Sequence, residues 1–249
     1  MLDRETALGR AIPILEKARK ENVNLKLIGG LAIACMAREG SKKFRREYKD
    51  LDFFGLNSSK KGITEIFKES DMKPNTTFNA LHGATRLIYF DNELRCNVDV
   101  LIDEFKMCHA INLKDRMLSS YYTIPPSDLL LTKMQTVKIT ENDLKDVAAL
   151  LSDFGIGKLD TEGELDGCRI ARLLSEDWGF YTTFEHNVRQ LLTYIGSRSD
   201  CEVPICRIKA LWDMIESAPK SFKWKMRAKV GEKVKWYEEP EESHSSESS

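Results

Sequence analysis

Two aspartates stand on either side of Leu51 in the run Asp50-Leu51-Asp52-Phe53-Phe54. Because alternate residues of a β-strand point to the same face, a strand here would place both carboxylates together, with their Cα atoms about 6.5–7 Å apart. Two carboxylates that close repel each other, and burial among apolar residues adds to the cost. A bound divalent cation reverses that repulsion. The pair therefore predicts a metal site.

A third carboxylate, Asp99, lies between two valines in a second predicted strand, residues 93–102. If this strand neighbours the first, three carboxylates gather on one surface. Oxygen ligands suit Mg²⁺ or Mn²⁺, and pairs of such ions serve phosphoryl and nucleotidyl transfer. The alternative is a structural role, in which Asp50 or Asp99 caps a loop or pairs with Arg45, Arg46 or Arg95.

Gly29-Gly30 separates an alternating run, residues 23–28, from a helix-forming run, residues 31–38. Glycine permits close approach of the backbone, and the N-terminus of the following helix presents unpaired N–H groups to a phosphate. An ordinary turn is the alternative. Placed upstream of the carboxylates, the glycine pair predicts a phosphate-binding turn.

The spacing of apolar residues predicts the elements that hold these motifs. In the first half the predicted helices cover 4–21, 31–38 and 62–70, and the predicted strands cover 23–28, 50–56, 84–90 and 93–102. Asp91-Asn92 between the last two strands predicts a two-residue hairpin turn. After residue 125 the pattern predicts no strands, only helices: 128–138, one that Thr140 caps, and others near 163–175, 181–195 and 204–217.

These elements indicate an α/β (α+β) protein. We expect an α/β domain over 1–125, with a mixed sheet flanked by helices, and then an all-helical domain over 126–237. The last stretch, 238–249, is acidic, polar and almost free of apolar residues, so we predict that it is disordered.

The order strand, Gly-Gly, helix, Asp-x-Asp and a later Asp resembles the nucleotidyltransferase superfamily of the DNA-polymerase-β type. Within that superfamily, residues 124–151 resemble the AbiEii-type branch (type IV toxin and related) at Lys133, Asp143 and Asp146. The resemblance covers residues 23–153. Lys133 also lies in an apolar run, and snorkelling to solvent from an amphipathic helix is the alternative for it.

The resemblance implies roles for these positions. Asp50, Asp52 and Asp99 would be the catalytic, metal-holding residues. The nucleotide-binding residues would be Gly29, Gly30, Lys133 and Asp146. Lys133 would approach the triphosphate, and Asp143 or Asp146 would position that lysine.

One departure from the family is the length of the segment between Gly30 and Asp50, residues 31–49. The excess is a basic stretch that contains Lys42, Lys43, Arg45, Arg46 and Lys49. It forms either a longer loop at the mouth of the site that meets an anionic substrate, or a solvated surface insertion.

Composition sets limits on partners and compartment. Lys plus Arg (38) nearly cancels Asp plus Glu (39), so the net charge argues neither for nor against a nucleic-acid partner. No apolar stretch approaches the roughly 20 residues that span a bilayer, and the charged N-terminus does not resemble a signal peptide. The six cysteines have no CxxC spacing, which is typical of free thiols. We therefore expect a cytoplasmic protein without a membrane partner.

The function that the resemblance implies is metal-dependent transfer of NMP from an NTP to an acceptor hydroxyl, with release of pyrophosphate. Mg²⁺ or Mn²⁺ would be the cofactor, and the NTP the substrate. The acceptor would be RNA, such as a tRNA 3′ end, or a protein, and an antitoxin-like partner is compatible with the branch. The alternatives are a small-molecule adenylyltransferase of the antibiotic type, a nucleotide-binding module without catalysis and a non-catalytic interaction protein.

Overall fold

The computed structural model describes residues 1–117 and 122–239. The helices are Arg4–Lys20 (α1), Gly29–Met36 (α2), Arg38–Lys43 (α3), Lys60–Glu69 (α4), Thr76–His82 (α5), Pro126–Met134 (α6), Glu141–Asp153 (α7), Gly167–Glu176 (α8), Trp178–Gly196 (α9), Glu202–Ser217 (α10) and Phe222–Val230 (α11). The strands are Leu25–Leu27 (β1), Leu51–Gly55 (β2), Met72–Pro74 (β3), Arg86–Asp91 (β4), Cys96–Ile102 (β5), Phe105–Lys106 (β6), Ala110–Ile111 (β7), Gly155–Gly157 (β8) and Glu164–Asp166 (β9).

The main sheet has five strands in the order β1-β2-β5-β4-β3. Its central pair, β2 and β5, is parallel, whereas β1, β4 and β3 are antiparallel to their neighbours. The sheet is therefore mixed, as the sequence predicted, and helices pack against it. The α/β class is confirmed.

Apolar side chains anchor strand β2 on the face opposite Asp52. Leu51 and Phe53 are fully buried there, while Asp52 lies on the opposite face. Helix α4, which was predicted at 62–70, packs against this strand, with the rings of Phe53 and Phe67 centred 5.6 Å apart. Burial of these side chains fixes the register of β2 and so fixes where its aspartate points.

Helices α2 and α3 pack against α6 and α7, which carry Lys133, Asp143 and Asp146. At Gly40 the approach is so close that a Cβ would lie 2.2 Å from the carbonyl oxygen of Ala149. Helix α7 begins with a capping box, in which Thr140 and Asp143 each bind the other's backbone N–H. These contacts bring the start of α7 next to β2 and the Gly-Gly turn.

The predicted two-residue turn at Asp91-Asn92 is wrong. Asp91 pairs with Cys96, so the loop consists of residues 92–95, and Arg95 takes a positive φ of 54°. Asp91 is fully buried and accepts hydrogen bonds from the backbone N–H groups of Glu93 and Leu94. Its side chain therefore organises a longer turn.

The second half contains strands as well as helices, contrary to the prediction. Strands β8 and β9 form a short parallel pair. Three helices were missed, α3, α5 and α11, and the last two bury none of their residues. The basic stretch also differs from a simple loop, because its first part forms α3.

The boundary predicted at residue 125 stays a prediction. The predicted disordered tail lies outside the described residues from residue 240 onward, and the backbone N–H of Glu238 donates to the carbonyl of Cys108 at 3.0 Å. All six cysteines fall within the described ranges as free thiols. Across 1–117 and 122–239, no helix has the length and apolar character to cross a bilayer.

Candidate functional site

Asp52 and Asp99 are direct neighbours on the two parallel central strands, where they pair in register. Asp50 lies one residue before β2 begins. Burial, Asp99 and Asp50 together raise the pKa of Asp52 to about 7, against the opposing effect of Lys133 and Arg46. Burial and Asp99 also raise the pKa of Asp50, although a hydrogen bond with Asn97 opposes them. The three predicted carboxylates thus interact electrostatically.

Gly29 lies directly against the carboxylate of Asp52. A Cβ on Gly29 would stand 2.7 Å from Oδ2 of Asp52, and the residue has a φ of +69° that favours glycine. The backbone N–H of Ile28 donates to the carbonyl of Asp52 at 2.9 Å, which ties the turn to β2. The glycine is therefore required both for the backbone conformation and for the approach to the acid.

Replacing Gly29 with alanine should disturb the carboxylate as well as the backbone. A non-glycine residue in the left-handed region costs about 1–2 kcal/mol, and here the methyl group also displaces Asp52. Gly163→Ala is the matched control, because Gly163 has a φ of +82° but no atom within 4 Å of the place that a methyl group would take. We expect a loss of unfolding free energy in both variants by urea titration, larger in Gly29→Ala, and weaker Mn²⁺ binding in Gly29→Ala alone. Equal Mn²⁺ affinities in the two variants would contradict the role of this contact.

Gly30 makes room for an ion pair between the basic stretch and α7. A Cβ on Gly30 would lie 2.7 Å from Nη1 of Arg46 and 2.8 Å from Oδ2 of Asp146. These two atoms are themselves 2.6 Å apart, and both side chains are largely buried. The second glycine therefore permits the Arg46–Asp146 pair, which the sequence did not predict.

Lys133 is held by both acids that the resemblance associated with it. Its Nζ lies 2.7 Å from Oδ1 of Asp143 and 3.0 Å from Oδ2 of Asp146, and its side chain is 14% exposed. Burial alone would lower the pKa of Lys133, but Asp146 and Asp143 outweigh it and the pKa is raised. The ammonium group stays charged at neutral pH, and the lysine does not snorkel away from the site.

Asp143 also caps the N-terminus of α7. Its Oδ2 accepts a hydrogen bond from the backbone N–H of Thr140 at 3.1 Å and thereby starts α7. Burial opposes ionisation of Asp143, but Lys133 and Thr140 prevail and its pKa is lowered. The carboxylate is fixed by the helix cap, and it fixes the lysine in turn.

Asp99 has a partner that sequence reasoning missed. Nε of Arg86 donates to Oδ1 and Oδ2 of Asp99 at 2.9 and 3.0 Å, and Nη2 of Arg86 also contacts Oδ2. Arg86 lies opposite Leu101 in the β4–β5 register, two pairs along from Asp99 and therefore on the same face. The alternation in residues 84–90 predicts the strand that carries Arg86. Only the register of that strand against β5 reveals that Arg86 contacts Asp99.

The donor set fits a divalent cation at Asp50 and Asp52 better than at all three aspartates. Within residues 1–117 and 122–239, no group of three or more His, Cys, Asp or Glu side chains is arranged to hold a metal ion. Asp99 is occupied by Arg86, whereas the raised pKa values of Asp50 and Asp52 show carboxylates that a cation would stabilise. Mg²⁺ or Mn²⁺, which bind few protein oxygens and keep several waters, suit such a pair.

Two cavities meet at Asp52, Lys133 and Asp143. The larger, of about 650 Å³, is also lined by the charged residues Arg46, Glu47, Lys49, Asp50 and Lys145. The smaller, of about 280 Å³, is lined by Gly29 and Asp99 and by apolar side chains such as Phe105 and Met107. Asp50 thus faces the larger cavity, Asp99 faces the smaller one, and Asp52 lies between them.

One part of the basic stretch borders the site, and the other part is solvated surface. Arg46 and Lys49 line the larger cavity. Lys42 pairs with Glu39, Lys43 pairs with Asp200, and the Arg45 side chain is exposed. Its first part is therefore surface, and its last part borders the site.

No protein-family model matches this chain, and no curated protein matches it. Among solved structures, the chain is similar to the crystal structure of an antigenic nucleotidyltransferase-like protein from Paracoccidioides brasiliensis. The two share 12% identity over 88% of this chain and 96% of that chain, with a TM-score of 0.45. A likeness of this degree assigns neither a family nor an activity to the chain.

Proposed function

We propose that this chain is a metal-dependent nucleotidyltransferase, which moves NMP from an NTP to an acceptor hydroxyl and releases pyrophosphate. The observation that carries the proposal is the contact of Gly29 with Asp52, beside Asp99 on the next strand. This close approach keeps the Asp52 carboxylate beside the N-terminus of α2, so a cation on the acid and a phosphate at the helix N-terminus would be neighbours.

The nucleotide occupies the larger cavity in this proposal. Four cationic side chains line this cavity, namely Arg46, Lys49, Lys133 and Lys145. Lys145 pairs with Glu141, and the other three complement the negative charge of a triphosphate. Helix α2 starts at Gly29 after an apolar N-cap residue, Ile28, which offers no side-chain cap to the first N–H groups. Those groups supply further donors to phosphate oxygens.

Asp50 and Asp52 would hold Mg²⁺ or Mn²⁺. When bound, such an ion neutralises charge on the phosphate oxygens and lowers the pKa of an attacking hydroxyl. Lys133, fixed by Asp143 and Asp146, orients the triphosphate and stabilises the charge that develops on the leaving pyrophosphate.

The acceptor occupies the smaller cavity, where Asp99 faces it. A carboxylate oxygen of Asp99 accepts the proton of the acceptor hydroxyl as its oxygen attacks the α-phosphorus, and the bond to pyrophosphate breaks. An RNA 3′ end or a protein hydroxyl could enter from this side, and so could a small molecule. The AbiEii-type branch, an antitoxin-like partner and a cytoplasmic location stay predictions.

A nucleotide-binding module without catalysis is the second candidate. It is favoured by the Arg86–Asp99 ion pair, because both carboxylate oxygens of Asp99 already accept hydrogen bonds from Arg86 and are less available to an acceptor hydroxyl. In such a module the larger cavity would still bind NTP.

Incubation of the purified chain with Mg²⁺ and each labelled NTP, with and without bulk tRNA, separates the two. The transferase should release pyrophosphate and label itself or the RNA, whereas the module should show only a nucleotide-dependent thermal shift. Asp99→Asn should lose the release, and Asp115→Asn, which changes an exposed aspartate, should keep it. Neither pyrophosphate release nor a thermal shift with any NTP would contradict both functions.

A further inference from the structure

Arg86 pairs with Asp99, the third carboxylate of the predicted metal site. Its guanidinium takes both oxygens of Asp99, with Nε at 2.9 and 3.0 Å. Resting on the proposed function, we infer that Arg86 supplies the positive charge of a second metal ion, so the site takes one divalent cation, at Asp50 and Asp52, and not two.

The ion pair is built into the centre of the sheet. Arg86 and Asp99 lie on adjacent antiparallel strands, and the pairs Arg86↔Leu101 and Ile88↔Asp99 put both side chains on one face. They are 20% and 21% exposed, so water screens the pair only in part. A bidentate contact held by two strands is stronger than a surface ion pair and specifies the orientation of the carboxylate.

The charges around the site agree with a single cation. The charged side chains that interact here are Asp50, Asp52, Asp99, Asp143 and Asp146 with Arg46, Lys49, Arg86 and Lys133. Five carboxylates and four cations leave one net negative charge, too little to compensate two divalent cations. Without Arg86 the same group would carry one further uncompensated negative charge on Asp99, next to Asp52.

Arg86 also marks the acceptor side. It lines a third cavity, of about 370 Å³, that shares Leu101 and Met107 with the smaller cavity of the site. The Arg86 side chain thus lies between Asp99 and this third cavity. Arg86 is a positioning residue in this scheme, because it acts by holding Asp99.

Electron paramagnetic resonance of Mn²⁺ counts the ions directly. Two Mn²⁺ ions about 3.5–4 Å apart are magnetically coupled, whereas a single ion is not. The full chain with Mn²⁺ and a non-hydrolysable NTP should give an uncoupled signal and one Mn²⁺ bound to protein. Arg86→Met should bind a second Mn²⁺ and give the coupled signal. Arg86→Lys and the exposed control Arg45→Met should behave as the unchanged chain.

The outcomes separate this inference from the proposed function. A coupled pair in the unchanged chain overturns the inference and leaves the transferase intact, and so does a single uncoupled ion in folded Arg86→Met. No Mn²⁺ bound by any variant overturns the metal-dependent function itself. Arg86→Gln, which keeps a hydrogen bond to Asp99 without the charge, replaces Arg86→Met if thermal melting shows the latter unfolded. If both neutral variants unfold, the signal of the unchanged chain decides.

Discussion

Asp52→Asn should abolish nucleotidyl transfer and, without metal, make the fold more stable above pH 7. An amide cannot replace the negative charge that holds a cation, so we expect a loss of about 10³-fold or more, as for other groups that stabilise transition-state charge. The same charge destabilises the metal-free fold, because burial, Asp99 and Asp50 raise the pKa of Asp52 to about 7.

The raised pKa of Asp52 determines how the stability of the metal-free fold changes with pH. An unfolded aspartate has a pKa near 3.9, so the folded state binds this proton more tightly and the metal-free fold loses stability as pH rises from about 4 to 7. A tenfold change in proton affinity is worth about 1.4 kcal/mol, which makes the loss on the order of 2–4 kcal/mol. Asp52→Asn should lack this decrease.

Urea unfolding in a chelator, at pH values from 5 to 8, measures the difference. The unchanged chain and the control Asp115→Asn should lose stability over this range, and Asp52→Asn should lose much less. Identical pH dependence in all three would show that Asp52 does not carry the repulsion. Full activity of Asp52→Asn would remove this residue from the mechanism.

Lys133→Met should weaken both nucleotide binding and the fold. The Lys133 side chain is 14% exposed and its ammonium pairs with Asp143 and Asp146, so its removal leaves two acids with fewer partners. Arg46 still neutralises Asp146, which puts the cost near the lower end for a broken buried pair, about 3 kcal/mol. A lost hydrogen bond between charged groups should also weaken NTP binding roughly 10- to 100-fold.

Lys145→Met is the matched control for this change. Lys145 lines the same cavity but pairs with Glu141 one turn away, in an arrangement that contributes about 0.3–0.5 kcal/mol. Urea titration and isothermal titration with a non-hydrolysable NTP should therefore distinguish the two lysines. Equal effects in both variants would mean that Lys133 acts only as one more surface charge.

The central elements of the fold were predictable because they follow from local patterns. Alternation placed Asp52 opposite the buried Leu51 and Phe53, and it separated Asp99 from its flanking valines. The glycine pair was found from its place between a strand and a helix. Thr140 was recognised as a cap because a hydroxyl before an acidic first turn typically starts a helix.

The partners within the site were not predictable in the same way. The contact of Arg86 with Asp99 depends on the register of β4 against β5, and that of Arg46 with Asp146 joins residues a hundred positions apart. The hairpin was misjudged because the buried Asp91 binds backbone N–H groups and extends the turn. Local sequence patterns predict which segments form helices and strands, whereas ion pairs between distant segments depend on how those elements pack.

A crystal of the chain soaked with Mn²⁺ and a non-hydrolysable NTP tests the nucleotide and metal site most directly. An anomalous difference map should show manganese at the carboxylates of Asp50 and Asp52, with the triphosphate beside Lys133 in the larger cavity. Manganese at other residues alone, or a nucleotide bound away from the Gly29-Gly30 turn, would contradict a transferase built on these acids.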